Sequence, residues 1–213
     1  MKKAQRILVN CLLGVLACVF LVGVSSPAFS RVVASNVQTI SPNGLPDTIQ
    51  TLAANLNDAR STLLAQGTSS SNLMSYGAVL RPYNVVPMTP AASDKGSPRG
   101  AVGAALAGDR LVVRGSFKNL SSSLRNYATD PVNPPNPNIT SAFHIHRGMP
   151  TENGPFQYAL EVMLDDTGMG GMAMGEYTLT PEQLQALNNG MLYVDIHTTK
   201  NRGGELRGVL MPY

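Results

Sequence analysis

The sequence is poor in most of the groups that build a reactive site. It has no tryptophan, only seven tyrosines and five phenylalanines, and 14% of its residues are charged. With no tryptophan and so few rings, stacking platforms for sugars or single-stranded nucleic acid are not expected. It has two cysteines, Cys11 and Cys18, and three histidines, His144, His146 and His197. No G-x-S-x-G elbow surrounds Ser116 and no phosphate loop is present, so neither serine-hydrolase nor nucleotide chemistry has a foothold.

Much of what remains is concentrated at the N-terminus. Lys2, Lys3 and Arg6 precede an apolar run from Ile7 to Val24 that only Asn10 interrupts. Pro27 breaks it, and Ala28-Phe29-Ser30 places small residues where a signal peptidase reads them. Residues 1–30 are therefore expected to be a signal peptide cut after Ser30, leaving a periplasmic or extracellular protein. Two rival readings exist. The run is about long enough to be an uncleaved membrane anchor, and Val15-Leu16-Ala17-Cys18 is a poor lipobox. Cleavage changes the rest of the arithmetic. The chain has 16 Lys+Arg and 13 Asp+Glu, and three of the bases lie in the leader. The remainder is formally neutral and contains no cysteine. That excludes a basic nucleic-acid surface, a disulfide framework, a thiolate metal site and a cysteine nucleophile. Membrane contact is expected only if the leader stays attached.

Beyond the leader, residues 31–75 read as an N-terminal extension. Pro42, Asn43, Gly44 and Pro46 mark a turn. Ile49, Leu52, Ala53, Leu56, Ala59, Leu63 and Leu64 then recur at helical spacing, so an amphipathic helix is predicted over 47–66. Its apolar stripe needs cover, either by capping the open end of the following domain, or by docking on a partner or a second copy of the chain. From about Tyr76 the pattern changes to short β-rich runs punctuated by glycine and proline. Strands are predicted over 78–81, 101–106, 111–119, 140–146, 157–164, 172–179, 191–198 and 205–210. The Pro-rich stretch 129–138 reads as a long loop. A single helical turn follows Thr180, its N-cap, with Pro181 at the first position and a stop at Asn189-Gly190. Many short strands with frequent turns point to a sandwich or barrel.

Three ordered motifs are specific. The first is Phe143-His144-Ile145-His146-Arg147-Gly148-Met149-Pro150 with Asn153-Gly154-Pro155. The second runs from Leu179-Thr180-Pro181 to Leu192-Tyr193-Val194-Asp195-Ile196-His197-Thr198-Thr199. The third is Gly203-Gly204-Glu205-Leu206-Arg207-Gly208-Val209-Leu210. Over roughly residues 76–213 the chain resembles the CHRD family, first described in chordin and widespread in bacterial secreted proteins. Asn84-Val85-Val86-Pro87 departs from the usual Glu-Val-Pro. The resemblance implies an all-β, Greek-key, immunoglobulin-like sandwich and no established catalytic activity. The growth-factor role of chordin is not transferred.

In a strand, residues two apart face one way. His144 and His146 therefore share a face, and His197 shares one with Tyr193 and Asp195. If the two strands are neighbours, three imidazoles converge in a set that suits Cu or Zn, with Asp195 or Glu205 as fourth ligand or supporting group. The plainer reading makes them structural histidines in a polar cluster with Arg147, Glu205 and Arg207. The H-x-H is also similar to that of copper/zinc superoxide dismutase, another sandwich, but a paired-metal site needs more than three histidines. Met169, Met172 and Met174 offer thioethers that suit Cu(I), following Asp165 and Asp166; the plainer role of Met172 and Met174, on one strand face, is core packing. The leading expectation is an exported, non-enzymatic binding or structural module with a protein or envelope partner. The alternative is a periplasmic Cu or Zn protein built on the three histidines, possible redox chemistry included. One geometric test separates them: ring nitrogens of His144 and His197 more than about 5 Å apart cannot share an ion without rearrangement.

Overall fold

The computed structural model describes residues 47–88 and 96–213. The expected signal peptide and the lead-in up to residue 46 lie outside them. Among the described residues, no helix is long and apolar enough to cross a membrane.

Among the described residues, ten strands form two antiparallel sheets. The N-terminal helix α1 spans Asp47–Ala65, followed by β1 (Leu73–Leu80), β2 (Arg99–Ala107) and β3 (Arg110–Lys118). A long irregular segment leads to β4 (Phe143–Arg147), β5 (Phe156–Ala159), β6 (Glu161–Leu164) and β7 (Gly171–Thr178). Helix α2 (Pro181–Asn188) precedes β8 (Leu192–Ile196), β9 (Leu206–Val209) and β10 (Met211–Pro212). The larger sheet has the order β10-β1-β2-β3-β7-β6 and the smaller β5-β4-β8-β9. The chain is thus an all-β sandwich with a helix on its N-terminal side, and it switches sheets four times.

Alternation explains the core. On β4, Phe143 and Ile145 point inward; on β8, Leu192, Val194 and Ile196 do the same. They meet Val102, Ala104, Leu111, Val113 and Phe117 of the larger sheet. Phe117 and Phe143 touch edge to face with centroids 5.8 Å apart. One side of the sandwich is closed by backbone, because Arg81 and Arg207 exchange hydrogen bonds of 3.0 and 3.1 Å. Helix α2 carries the expected cap: the Thr180 side chain accepts from the Gln183 N–H, and the Gln183 side chain accepts from the Thr180 N–H.

Two expectations need correction. The run 157–164 is not one strand. It divides at Leu160, fully buried, with β5 on the smaller sheet and β6 on the larger. The Leu160 N–H donates to Phe143 O at 2.8 Å, so the chain crosses between sheets without a glycine or proline to announce it. Nor does α1 cap the open end of the sandwich. It lies across the outer face of β1, β2 and β3, where Leu52, Leu56, Ala59 and Leu63 are buried and Leu64 is left 42% exposed. The helix approaches β2 so closely that a Cβ at Gly103 would collide with the backbone of Leu56. Asn55 secures the contact, donating to Ala101 O at 2.9 Å and accepting from Ser116 Oγ at 3.0 Å. Strand β2 is consequently buried on both faces, which is why it reads as an unbroken run of small apolar residues.

Candidate metal centre

The pairing of β4 with β8 brings the three histidines together. His144 stands opposite Asp195 and His146 opposite Tyr193. His197 directly follows β8, and its N–H donates to Ala142 O at 2.9 Å, which extends the pairing by one residue. All three side chains leave the sheet on the face away from the core. Ring centroids are 4.9 Å apart for His144 and His197, 5.6 Å for His144 and His146, and 6.0 Å for His146 and His197. One ring nitrogen from each lies within 4.8 Å of the other two.

Each imidazole is oriented by a backbone carbonyl. His144 Nε2 donates to Ser141 O at 2.6 Å, His146 Nδ1 to Gly154 O at 3.1 Å and His197 Nδ1 to Arg202 O at 3.0 Å. A carbonyl only accepts, so in each ring the bonded nitrogen carries the proton and the other keeps its lone pair. Those lone pairs are Nδ1 of His144 and Nε2 of His146 and His197. The last two are buried and have no hydrogen-bond partner. An unsatisfied buried acceptor costs roughly 1–3 kcal/mol, and two of them in one histidine cluster can be satisfied by a Lewis acid or a proton donor.

Burial also keeps the rings neutral. Desolvation, reinforced by repulsion from His197, pushes the His144 pKa down to about 3 against the opposing bond to Ser141. Desolvation lowers His197 to about 4, and it lowers His146 as well. His144 is 1% and His197 8% exposed. The three rings therefore present lone pairs at neutral pH, the form a metal requires.

A cavity of about 320 Å³ opens in front of the rings. Aromatic groups wall it. Tyr193 stacks on His146, Phe156 meets His144 edge-on at 5.3 Å, and Tyr127 lies 5.2 Å from His144 and 6.3 Å from His197. A larger cleft of about 960 Å³ lies behind the segment that carries Tyr127, but none of the three histidines lines it.

The two carboxylates expected near the histidines have other commitments. Asp195 lines the cavity, yet both its oxygens accept from Arg207, Nε and Nη2 each at 2.7 Å. Arg207 continues to Glu152 O at 2.9 Å and Asn153 Oδ1 at 2.7 Å. Asp195 is a supporting group, already occupied. Glu205 is fully buried and accepts from the Ser121 N–H and Oγ, Thr198 Oγ1 and Asn201 Nδ2 at 2.6–2.9 Å. It ties two loops together and does not line the cavity. Arg147 sits apart, in a hollow beside Glu182. The polar cluster of Arg147, Glu205 and Arg207 is thus three separate arrangements.

The methionines stand elsewhere. Met172 and Met174 lie on β7 of the larger sheet, and Met169 precedes that strand. Ala173 takes the core-facing position, so Met172, 57% exposed, and Met174 share the opposite face, which corrects the expectation that these two pack in the core. None of the three lines the histidine cavity, so the thioethers and imidazoles do not form one site.

Two other residues of the site, Tyr127 and Asp130, gave no signal in the sequence. Tyr127 comes from the irregular segment, held where Arg125 covers its ring at 4.5 Å. Asp130 accepts from both Arg125 and Arg202 and clips that segment to the loop after β8. The Asp195–Arg207 pair is cross-strand, in register on β8 and β9. Aligning those strands from their motifs would have found it.

A family model for the CHRD domain matches residues 76–210. No curated protein and no solved structure matches the chain.

Proposed function

Since the chain belongs to the CHRD domain family, we propose that it is an exported binding module and that the ligand of its sandwich is a single Cu or Zn ion held by His144, His146 and His197. The observation that carries this reading is the convergence of three neutral imidazoles, each fixed by a carbonyl behind it, with two buried lone pairs left unpartnered. Metal-binding histidines nearly always donate their other N–H in this way, which sets tautomer and orientation.

The donor chemistry narrows the ion. Three imidazoles without carboxylate or thiolate suit Zn and Cu and are a poor set for Ca or Mg, which need oxygen. Nitrogens on one tetrahedral ion at 2.0–2.1 Å stand roughly 3.3 Å apart, so the rings close by about an ångström and a half or less on binding. The implied absence of family catalysis supports binding over turnover, and the N-terminal apolar run supports an extracytoplasmic location, where the ion would be acquired.

The test is metal analysis after loading. Purified protein offered Cu(II) or Zn(II) and then desalted should retain one equivalent. His146→Ala combined with His197→Ala should retain far less while keeping the β-rich circular dichroism of the parent. Equal, sub-stoichiometric metal in parent and variant would end this reading.

A further inference from the structure

The three imidazoles bring no negative charge to the ion. The neighbouring carboxylates cannot supply it either, because Asp195 is doubly bonded to Arg207 and Glu205 is saturated by four donors outside the cavity. The walls add positive charge instead. Arg125, Arg202 and Arg207 line the cavity, and among the described residues the carboxylates paired with them are Asp195, in the lining, and Asp130, outside it. A dication on this set would sit in a low-dielectric hollow with surplus positive charge around it. That is unfavourable unless an anion joins it. Three protein ligands also leave a coordination position free, as in metal sites that exchange small molecules.

The cavity has room for such an anion and a way in. Its volume is about 320 Å³, far more than the roughly 30 Å³ of one water. The Arg202 side chain, 59% exposed, marks where the cavity reaches solvent. The ring walls of Tyr127, Phe156 and Tyr193 limit what enters to small species.

We infer that the position left open by the three histidines binds a small exogenous anion, a halide, a pseudohalide or a short carboxylate, attracted by the ion and by the guanidinium surplus around it. This rests on the metal-binding reading and names the class of molecule that the metal site takes.

Azide is the probe, added to the full chain loaded with one equivalent of Cu(II). Before azide, the electron paramagnetic resonance spectrum should carry nitrogen hyperfine structure from imidazole. With azide, a saturable charge-transfer band should grow as the g and hyperfine values shift together, and chloride or acetate should compete. Arg202→Gln leaves the backbone carbonyl that orients His197. Compared at equal Cu loading, it should weaken azide binding roughly threefold or more, the effect of removing one nearby unit charge. If Cu binds with an imidazole signal that azide leaves unchanged, this inference is wrong and the metal site stands. Removal of the metal from the protein by azide would overturn the inference equally. If no imidazole-bound Cu forms at all, the metal-binding reading and this inference fall together.

Discussion

The imidazole of His146 lies flat against the phenol ring of Tyr193, with centroids 5.3 Å apart and planes 7° from parallel. Arg207 covers the same phenol ring at 4.2 Å. The tyrosine does more than pack. Its Oη accepts from the Gly154 N–H at 2.6 Å, and the carbonyl of Gly154 holds His146 Nδ1. Strand residue, loop glycine and histidine are one unit. Tyr193→Phe keeps the stack and strands the glycine N–H. It should cost about 1–3 kcal/mol of stability and lower metal affinity by roughly 10- to 100-fold. Urea unfolding and chelator competition would measure the two; unchanged affinity would separate the tyrosine from the site.

Acid should destabilise the metal-free protein early. The folded values near 3 for His144 and 4 for His197 lie below the ordinary histidine value, near 6.5 in an unfolded chain. The unfolded state therefore binds protons first. Stability is complete above about pH 6.5 and falls as pH drops toward 4, by up to about 1.4 kcal/mol per histidine per pH unit. Urea midpoints taken between pH 7.5 and 5 should show the slope. In His144→Gln combined with His197→Gln the slope should flatten markedly. An equally steep decline in that variant would place the acid sensitivity elsewhere.

Asp195 and Arg207 form a fully buried pair, 1% exposed each. Asp195→Asn leaves a guanidinium inside the protein without its counter-charge and should cost about 3–5 kcal/mol. Joint replacement by Asp195→Leu and Arg207→Met should cost less than Asp195→Asn alone. Thermal or urea unfolding of the parent and the two variants decides this; a joint replacement that costs more than Asp195→Asn would show that the unpaired charge is not the main penalty.

The methionines give a control. Met172→Leu and Met174→Leu should leave metal content and the Cu(II) spectrum as they are, since both sit on the sheet away from the histidines. A loss of bound metal in either would mean the thioethers contribute after all.

Helix docking has its own test at Gly103. Gly103→Ala puts a methyl where the Leu56 backbone already lies and should cost about 1–3 kcal/mol as the helix is pushed away. Circular dichroism of the folded variant should still show the sandwich. A neutral change in the unfolding midpoint would count against the close contact.

Much of this was legible in the residues. Two-residue alternation placed His144, His146 and His197 on outward faces, because the apolar partners Phe143, Ile145, Val194 and Ile196 fixed the inward ones. The helix limits followed from periodicity and came within a residue, Asp47–Ala65. What periodicity cannot carry is a change of partner. At Leu160 the alternation continues while the hydrogen bonds move to another sheet. The stripe on α1 showed that something covers it, and the small residues of β2 were the cue to what, but only contact geometry joins Leu56 to Gly103. Charge was the hardest to read. Asp195 and Glu205 were equal candidates in the sequence, and their roles were decided by which donors the fold brought to each. Tyr127 reaches the site from a segment with no period at all.

His144 and His146 are neighbours in the sequence, but His197 reaches them only when β4 and β8 pair, across about fifty residues of intervening chain. Contacts of such sequence separation form late and slowly in β proteins. An unfolded chain holds at best the His-x-His pair, a two-point chelate open to exchange. Full affinity thus arrives with the last strands, and any ion it binds stabilises only the completed sandwich. If the three histidines hold an ion as proposed, its retention is a gauge of folding: a chain that crossed a membrane unfolded would cross it empty and take its ion on the far side.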